Sequence, residues 1–458
     1  MTASGTAIPQ IQNERLCTGF GAYDLLFPIF LSLNAVINHK TICMKIHFVG
    51  ISGVSMHALA VVAASRGHTV TGSDRDLNGH DPKNVDGCDL VVYTDAVPQD
   101  NCELVRARET GIPIIERAKY LGELGASYDN VIAVAGCHGK STTSAMLGEV
   151  FYSRNPTVHV GVADGSRIGS TKYFITEACE YKANFLHLSP DIGIVLNIGF
   201  DHPDFYHDMN EMVSAYSAFG RKCKKVIVNG DDPLARELCQ NAVTFGLGEH
   251  NDYRATDIKN ENGYRSFMLV GKKQARVRLS VAGEHNVYNA LACIAAADVC
   301  GLKLSEILPN LAKFGGVKRR FERKGIAFGK TVFTDYAHHP DEISATIKTA
   351  KEIFPSVAVV FQPHTYSRTQ SLMNEFALAL SQADTVVLAP IFSARENPID
   401  GVTSHALCRK IVSVKERAYC FDTFCEILEF ARTIPDKAII FMGAGNINTL
   451  ADAFVNAE

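Results

Sequence analysis

The stretch VIAVAGCHGKS, residues 131–141, carries an apolar strand directly into a glycine-rich turn, and residues 142–151 after it read as a helix. In such a unit, two glycines let backbone N–H groups approach phosphate oxygens, a lysine neutralises them, and a serine hydroxyl can bind Mg²⁺. The residues at these places are Gly136, Gly139, Lys140 and Ser141. A strict P-loop would have glycine in place of Val134, and a plain glycine turn is the alternative, but the context favours a nucleotide-phosphate site.

A second glycine-rich turn lies nearer the N-terminus, within a strand at 46–49, the turn at 50–55, a helix at 56–65 and a strand at 69–72. Asp74 stands about 20 residues past the turn, as in sites where a helix N-terminus holds phosphate and an acid binds a ribose. Ser52 and Ser55 replace two glycines of the dinucleotide fingerprint, so NAD or FAD binding is the less favoured alternative. Residues 75–88 are too rich in turn residues for a crossover helix, and we expect a loop there.

Length and element order both indicate three domains. At roughly 150 residues per domain, 458 residues correspond to about three. Predicted strands alternate with helical patterns such as 340–353, and this alternation is typical of parallel sheets. The predicted strands lie at 173–176, 192–197, 226–229, 331–334, 357–361, 385–389 and 438–442. We expect an α/β protein with an extension at 1–43, a trimmed Rossmann-like domain at 44–126, a central P-loop ATPase-like domain at 127–318 and a Rossmann-like C-terminal domain at 319–458.

Composition limits the class of protein. Hydrophobic residues make up 47% and charged residues 21%, as in an ordinary globular protein. A net charge of −4 gives no global attraction for nucleic acid or anionic lipid, so we expect neither as a partner. Thirteen cysteines without a C-x-x-C pair argue against a disulfide framework or a zinc site and favour the cytoplasm. The apolar run at 25–37 is too short to span a membrane, and we expect residues 1–43 to be disordered or not native.

Acidic and imidazole side chains follow two further strands, at the edge where ligands of parallel sheets collect. Glu177 and Glu180 come after one strand, and carboxylates are ligands that Mg²⁺ accepts. Taken alone, two acidic residues at such a position are more often exposed to solvent at the end of a strand than part of a metal site. Asp201 and His202 follow the next strand, where a histidine by itself is more often structural.

Other candidate residues lie on a helix and in the last third of the chain. Asn286 and Asn289 are three residues apart on one helix face, and their amides could bind an adenine edge. An equally favoured alternative is that the two residues serve only as a helix N-terminal cap and a surface amide. The segments DYAHHP at 335–340 and QPHTYSRT at 362–369 both follow strands. Their three histidines could form a metal site, although adjacent histidines rarely bind one ion. Arg368 could instead clamp a carboxylate.

Together these motifs resemble the Mur ligases of peptidoglycan synthesis. The match runs from Met44 to about Ala451, and although each motif is weak alone, their order is specific. In order they are GISGVSM, GSD, AGCHGKSTT, EACE, NIGFDH, HNVYNA, RRFE, DYAHHP and FQPHTYSRT. The last two favour the family member that adds L-alanine.

The resemblance implies a role for each matching residue. The ATP phosphates would be surrounded by Gly136, Cys137, His138, Gly139, Lys140, Ser141 and Thr142, and Mg²⁺ by Ser141, Glu177 and His202. Adenine would be bound by Asn286 and Asn289, the nucleotide phosphates by Arg320, and the ATP ribose by Asp335. The amino acid and the muramyl carboxylate would be surrounded by Tyr336, His338, His339, His364 and Arg368, and UDP by Gly50, Gly53, Ser73 and Asp74. The catalytic residues would be Lys140, Glu177, His202 and His338.

The implied reaction is ATP-dependent ligation of L-alanine to the carboxylate of UDP-N-acetylmuramate through an acyl phosphate. ATP and Mg²⁺ are the expected cofactors, and these two substrates the expected partners. The alternatives are a related ligase that adds another amino acid or a recycled peptide, and a catalytically weak nucleotide-sugar-binding paralogue. The chain departs from the family at two places: it lacks the helix and strand that the family has before residues 89–93, and the stretch 162–170 is shorter. We expect the first departure to affect UDP-substrate affinity more than ATP chemistry.

Overall fold

The structure is a computed structural model that describes the backbone of residues 27–29 and all of residues 43–162, 165–202, 205–238, 241–394 and 396–457. The chain divides into two compact units, Met1–Glu116 and Arg117–Glu458. Among the described residues, one sheet lies in the first unit and two lie in the second. The predicted α/β class is confirmed, while the predicted domain boundaries stay predictions.

The first unit is a twisted sheet with the strand order β1-β3-β2-β4-β5. Its strands are β1 Phe27–Ile29, β2 Lys45–Val49, β3 His68–Ser73, β4 Leu90–Tyr93 and β5 Ile114–Glu116, and its helices are α1 Val54–Ser65 and α2 Cys102–Thr110. From β3 to β5 neighbouring strands are parallel. The chain reaches β4 through a loop with one short 3₁₀ turn, Pro82–Val85, as the turn-rich sequence predicts.

The N-terminal extension contributes one short strand to this sheet. Strand β1 pairs antiparallel with β3, with Phe27 opposite Val70 and Ile29 opposite His68. At these three residues the structure differs from the expectation of an extension without regular structure. Such an edge strand needs only backbone N–H and C=O groups, so it leaves no periodic pattern to read. For the rest of 1–42 that expectation lies outside the described residues.

The second unit begins with helix α3, Arg117–Gly125, and continues into the central sheet, which has the order β14-β13-β12-β11-β10-β9-β6-β8-β7. The strands are β6 Asn130–Ala135, β7 Pro156–His159, β8 Ser170–Glu177, β9 Ile192–Val195, β10 Lys225–Asn229, β11 Val243–Gly246, β12 Tyr253–Glu261, β13 Tyr264–Gly271 and β14 Ala275–Ala282. The helices are α4 Lys140–Val150, α5 Met209–Lys222, α6 Pro233–Glu237, α7 His285–Val299 and α8 Leu304–Leu311. The carboxyl ends of β6, β8 and β9 therefore meet at one edge.

Strands β12, β13 and β14 of this sheet form antiparallel neighbours, whereas the alternation of strands and helices predicted parallel strands only. Strand β14 alternates in the described structure, with Val277, Leu279 and Val281 buried and the residues between them more exposed. That alternation is the mark of a half-buried antiparallel strand and is visible in the sequence ARVRLSVA. The meander covers one side of the cavity described below.

Helix α7 is apolar on nearly every side and is buried along most of its length. An all-apolar helix belongs inside a protein, and α7 lies against α4, where the Cys293 thiol is 3.6 Å from the Thr143 carbonyl oxygen. The helix that follows the glycine-rich turn is thus fixed by a second buried helix. No helix among the described residues has both the length and the apolar composition needed to cross a membrane.

The third sheet has the order β15-β16-β20-β17-β18-β19, and only β15 runs antiparallel to its neighbour. The strands are β15 Glu322–Ala327, β16 Lys330–Asp335, β17 Val357–Phe361, β18 Thr385–Leu388, β19 Ala418–Cys420 and β20 Ala438–Met442. The helices are α9 Pro340–Lys351, α10 Tyr366–Ser371, α11 Met373–Leu380, α12 Ser404–Val412, α13 Phe424–Thr433 and α14 Ile447–Asn456. The ends of β16 and β17 carry the histidine-containing loops.

We expect Gly122→Ala to destabilise the second unit. A Cβ atom there would lie 2.2 Å from the backbone oxygen of His187, which cannot move without shifting the segment after Glu180. Overpacking of this kind costs about 1–3 kcal/mol, and urea unfolding measures it. The matched control is Gly220→Ala, a helical glycine whose Cβ would meet nothing within 4 Å. Equal stability of the two variants would contradict the packing argument.

Candidate active site

The glycine-rich turn between β6 and α4 is held from behind by the segment that follows β9. Gly136 and Gly139 have φ values of 143° and 86°, a region that glycine adopts readily. The Asn197 side chain accepts a hydrogen bond from the His138 N–H at 2.9 Å and donates one to the His138 carbonyl oxygen at 3.0 Å. The turn is therefore preorganised, with its backbone tied to a neighbouring strand.

Lys140 is bound inside this turn rather than extended into solvent. Its Nζ donates to the Gly136 carbonyl oxygen at 2.5 Å, to the Cys137 carbonyl oxygen at 3.2 Å and to Glu180 Oε1 at 2.8 Å. The Glu180 side chain is only 2% exposed. Burial alone lowers the pKa of Lys140, but the nearby carboxylate outweighs it and raises the pKa above the usual range. Lys140 is thus charged, and its three N–H donors are all in use, so a phosphate that binds Lys140 must displace one of these three acceptors.

The two cysteines of the site are not activated thiols. Cys137 Sγ donates to the Gly199 carbonyl oxygen at 2.9 Å and accepts from the Gly199 N–H at 3.0 Å. Burial raises the pKa of Cys137 to about 12 and that of Cys179 to about 11. Nucleophilic cysteines need a lowered pKa, so both thiols serve packing.

The predicted Mg²⁺ ligands lie at the same sheet edge. Glu177 ends β8 directly beside Val134 of β6, and its Oε1 accepts from the Gly161 N–H at 3.0 Å. Ser141 lies in the first turn of α4. His202 has a positive φ of 58°, a strained conformation for this residue that is often found at functional sites. A hydroxyl, a carboxylate and an imidazole form a donor set that fits a divalent cation, with the oxygens suited to Mg²⁺.

Two acidic side chains that are not among the predicted Mg²⁺ ligands also lie close to His202. His202 Nε2 is 3.6 Å from Glu180 Oε1 and 3.7 Å from Asp201 Oδ2. The ligand atoms of these three side chains all lie within 4.8 Å of one another. Glu180 and Asp201 therefore belong to the site together with Glu177 and His202, although the residue roles implied by the resemblance omit both.

Asn286 and Asn289 are buried, which excludes the alternative of a surface amide. Asn289 Nδ2 donates to Asn286 Oδ1 at 2.9 Å, and Asn286 Nδ2 donates to the Ala282 carbonyl oxygen at 2.7 Å. Helix α7 has Glu284 as its N-cap, so the capping alternative is also wrong. The asparagine pair connects the start of α7 with the glycine-rich turn, and its adenine role stays a prediction.

A cavity of about 1020 Å³ opens between the turn, α7 and the start of the third sheet. Among the residues expected around ATP, it is lined by His138, Gly139, Ser141, Thr142, Asn286, Asn289, Arg320 and Asp335. Gly136, Cys137 and Lys140 are not among the described residues that line it. The cavity falls in the size range of ligand sites and brings residues together from distant parts of the chain.

Asp335 and Arg320 connect this cavity to the third sheet. Asp335 is buried, and its carboxylate accepts from the N–H groups of Ala337 at 2.7 Å and Phe321 at 2.8 Å and from Thr346 Oγ1 at 3.2 Å. This acid therefore holds three segments together, and its ribose role stays a prediction. Arg320 Nη1 lies 3.4 Å from Glu342 Oε1 in the first turn of α9.

Among the described residues, the three loop histidines His338, His339 and His364 do not come together as one group of metal ligands, whereas His138, His339 and Asp341 have ligand atoms within 4.8 Å of one another. His338 Nδ1 is bound to the Tyr336 carbonyl oxygen at 3.0 Å, whereas the His339 ring lies 5.5 Å from that of His138. The two adjacent imidazoles therefore face different partners. The His364 ring is T-shaped to that of His338 at 5.9 Å, and its buried Nδ1 has no hydrogen-bond partner among the residues that the structure describes. Arg368 Nη2 lies 3.7 Å from Asp201 Oδ1.

The residues expected to hold UDP lie in the first unit. The Gly50 N–H donates to the Ser73 carbonyl oxygen at 2.8 Å, and Asp74 Oδ2 accepts from the Ser52 N–H at 3.1 Å. The Ser73 hydroxyl is buried and donates to Glu103 Oε2 at 2.6 Å. This hydroxyl is therefore used inside the protein, while Gly50, Gly53 and Asp74 lie together at the turn. The UDP assignments stay predictions.

Models of protein families match almost the whole of the described chain. The model described as Mur ligase family, catalytic domain, matches residues 45–129, Mur ligase middle domain matches 134–297, and Mur ligase, glutamate ligase domain, matches 319–445. The chain belongs to the Mur ligase family, and the resemblance read from its motifs is confirmed.

Curated relatives and a solved structure narrow the comparison. The chain is 40% identical to the UDP-N-acetylmuramate–L-alanine ligase of Clostridium novyi, over 90% of this chain and 98% of the relative. It is 38% identical to the ligase of the same name from Acetivibrio thermocellus, over 90% and 95%. The crystal structure of UDP-N-acetylmuramate-alanine ligase from Thermotoga maritima matches with a TM-score of 0.78 and 31% identity, over 90% of this chain and 99% of that one.

We expect Gly139→Ala to weaken nucleotide binding by about ten-fold or more. The new Cβ would lie 2.9 Å from Asn289 Oδ1, and φ at this position is 86°. The turn must shift, and the N–H groups that would meet phosphate shift with it. Calorimetric titration with a non-hydrolysable ATP analogue measures the change.

Gly329→Ala is the matched control for this experiment. Gly329 also has a positive φ, of 69°, but a Cβ there meets nothing within 4 Å. This variant should lose stability without losing nucleotide affinity. If both variants bound the analogue as the parent does, the turn would not be the phosphate site.

Proposed function

We propose that this protein ligates L-alanine to the carboxylate of UDP-N-acetylmuramate with ATP, in peptidoglycan precursor synthesis. The observation that carries the proposal is the contact between two sets of loops in the second unit. His138 of the glycine-rich turn lies 3.5 Å from Glu342 of α9, and Asp201 after β9 lies 3.7 Å from Arg368 of α10. A nucleotide phosphate and an amino acid bound to these loops would be neighbours.

The first step activates a carboxylate. A carboxylate oxygen of the muramyl group attacks the γ-phosphorus of ATP, the bond to ADP breaks, and an acyl phosphate forms. Lys140, released from Glu180, stabilises the charge that develops on the phosphates. Ser141, Glu177 and His202 would hold Mg²⁺, which supplies charge neutralisation when bound. Arg320, on the far side of the cavity, adds a second fixed positive charge.

The second step forms the amide bond. The neutral amine of alanine attacks the acyl carbon, and the carbon–oxygen bond to phosphate breaks. Arg368 would hold the alanine carboxylate with its planar guanidinium, replacing the contact it makes with Asp201. Water must be kept from the acyl phosphate, and the contact between the two sets of loops serves that need.

The overall reaction is tested by phosphate release from purified protein with ATP, Mg²⁺ and UDP-N-acetylmuramate. L-Alanine, L-serine, glycine and a recycled-type tripeptide are supplied in turn. We expect release to be fastest with L-alanine. A preference for the tripeptide would favour the related recycling ligase, and no release with any nucleophile would favour a binding paralogue.

We expect Lys140→Ala to abolish ligation and to leave UDP-N-acetylmuramate binding intact, because the UDP turn belongs to the first unit. The substitution also leaves Glu180 buried without its partner, which costs about 3–5 kcal/mol. The double variant Lys140→Met with Glu180→Gln removes both charges and should recover much of that stability without recovering activity. Equal loss of UDP-substrate binding, seen by calorimetry, would mean that the effect is unfolding.

Arg368→Lys should lower activity by about ten-fold or more at limiting alanine, since one decade corresponds to approximately 1.4 kcal/mol. Lysine keeps the charge but loses the two-pronged contact with a carboxylate. Exchange of label between ADP and ATP without alanine, which reports acyl phosphate formation, should fall much less. Arg409→Lys on the exposed side of α12 is the control. Unchanged alanine kinetics in Arg368→Lys would remove Arg368 from the alanine pocket.

A further inference from the structure

His338 is held in one tautomer by two acceptors. Its Nδ1 lies 3.0 Å from the Tyr336 carbonyl oxygen and 3.5 Å from Glu342 Oε2. A carbonyl and a carboxylate oxygen can only accept, so Nδ1 carries the proton. Within the described part of the chain, Nε2 has no hydrogen-bond partner, and its lone pair is available.

Glu342 fixes this arrangement from the first turn of α9. Its side chain is only 12% exposed, and Oε2 also accepts from the His338 N–H at 3.1 Å. Oε1 faces Arg320 Nη1 at 3.4 Å and His138 Nδ1 at 3.5 Å. Burial opposes ionisation of Glu342, but His338, His138 and Arg320 hold its pKa well below the usual range. A buried carboxylate thus backs the imidazole.

The groups around His338 keep it neutral. Glu342 on α9 favours its protonation, whereas burial, Arg368 on α10 and Arg320 before β15 disfavour it, and the His338 pKa lies below the usual value. The remaining titratable neighbours are Tyr336, whose ring lies 5.4 Å from that of His338, and His364 on the loop after β17, where burial lowers the pKa of His364 to about 4. A neutral imidazole with a free Nε2 can accept a proton at neutral pH.

The proposed reaction needs such an acceptor. Free alanine carries an ammonium group, which has no lone pair for attack on an acyl carbon. The same pocket offers Arg368 for the alanine carboxylate and the unpartnered, buried Nδ1 of His364 as a further polar contact. Arg368 disfavours protonation of both His338 and His364, so its guanidinium lies near both imidazoles, and an amino acid whose carboxylate it held would have its nitrogen near His338.

We infer that His338 is the general base that deprotonates the incoming amino acid, and that Glu342 is a positioning residue that holds His338 in the required tautomer. The ammonium proton passes to His338 Nε2, and the freed lone pair attacks the acyl carbon. Phosphate departs with its bonding electrons and takes up the second proton, which the nitrogen loses as the amide forms. Glu342 stabilises the imidazolium that forms, as a carboxylate does behind a catalytic histidine in other enzymes. The inference rests on the proposed ligase function.

The first test compares two nucleophiles in His338→Gln. Hydroxylamine is neutral at neutral pH and needs no base, so hydroxamate formation should stay within about three-fold of the parent. Alanine ligation at saturating alanine should fall by about 100-fold or more, which is the usual worth of a general base. His405→Gln on α12, with a half-exposed side chain, is the control.

The outcomes separate the two proposals. If the parent protein forms neither the alanine product nor the hydroxamate, the ligase function fails. If the parent is active and His338→Gln keeps its turnover with saturating alanine, the general-base role is overturned. It is also overturned if His338→Gln loses activity with both alanine and hydroxylamine while its melting temperature is unchanged. A rise in the KM for alanine without a fall in kcat would also overturn it.

The second test uses the pH profile of Glu342→Gln, which stands even if His338→Gln does not fold. Alanine turnover requires neutral His338, so activity rises as pH rises through the His338 pKa. Removing Glu342 lowers that pKa, and the acid limb of kcat should move to lower pH while the plateau falls by about ten-fold. Glu342→Asp should restore part of the plateau. The exposed Glu375→Gln on α11 is the control. An unshifted acid limb in Glu342→Gln would show that Glu342 has only a structural role.

Discussion

One buried carboxylate joins the working parts of the second unit. Glu342 contacts His138 of the glycine-rich turn, Arg320 before the third sheet and His338 after β16. These three residues come from different segments of the chain, and each is positively charged or can become so. A buried carboxylate is tolerated only when it is surrounded by donors of this kind, so the position of each segment depends on the others. His138, Arg320 and Glu342 of this junction all line the cavity.

A second buried carboxylate, Glu180, forms an ion pair with Lys140 of the glycine-rich turn. Glu180 neutralises Lys140 inside the turn, where a buried lysine would otherwise lack an oppositely charged partner. Asp201 does the same for Arg368 in the neighbouring loop. In both cases an acidic side chain holds the cation in a fixed position. The two cationic side chains are thus preorganised by neighbouring carboxylates.

Local patterns were enough for much of the fold. The strands at 357–361 and 438–442 agree with β17 and β20 to the residue, because runs of apolar residues between turn signals are short-range features. The antiparallel meander β12–β14 was missed, even though β14 alternates, because its attachment to a parallel sheet is a long-range pairing. Strand β1 left no pattern at all, since three residues at a sheet edge use only their backbone.

For the site, the sequence by itself determined which residue types stand in the turn and in the loops after each strand, because glycine spacing and strand ends are local. It also carried the order of motifs that the family comparison confirms. Only the tertiary structure decided which charges face one another. Glu342 reads in the sequence as an ordinary acid at a helix N-terminus, and Glu180 as a solvated strand end. Both are buried because other segments of the chain close over them. The Glu342 contact with His138 and the Glu180 contact with Lys140 join residues far apart in the chain, and such contacts have no local signature.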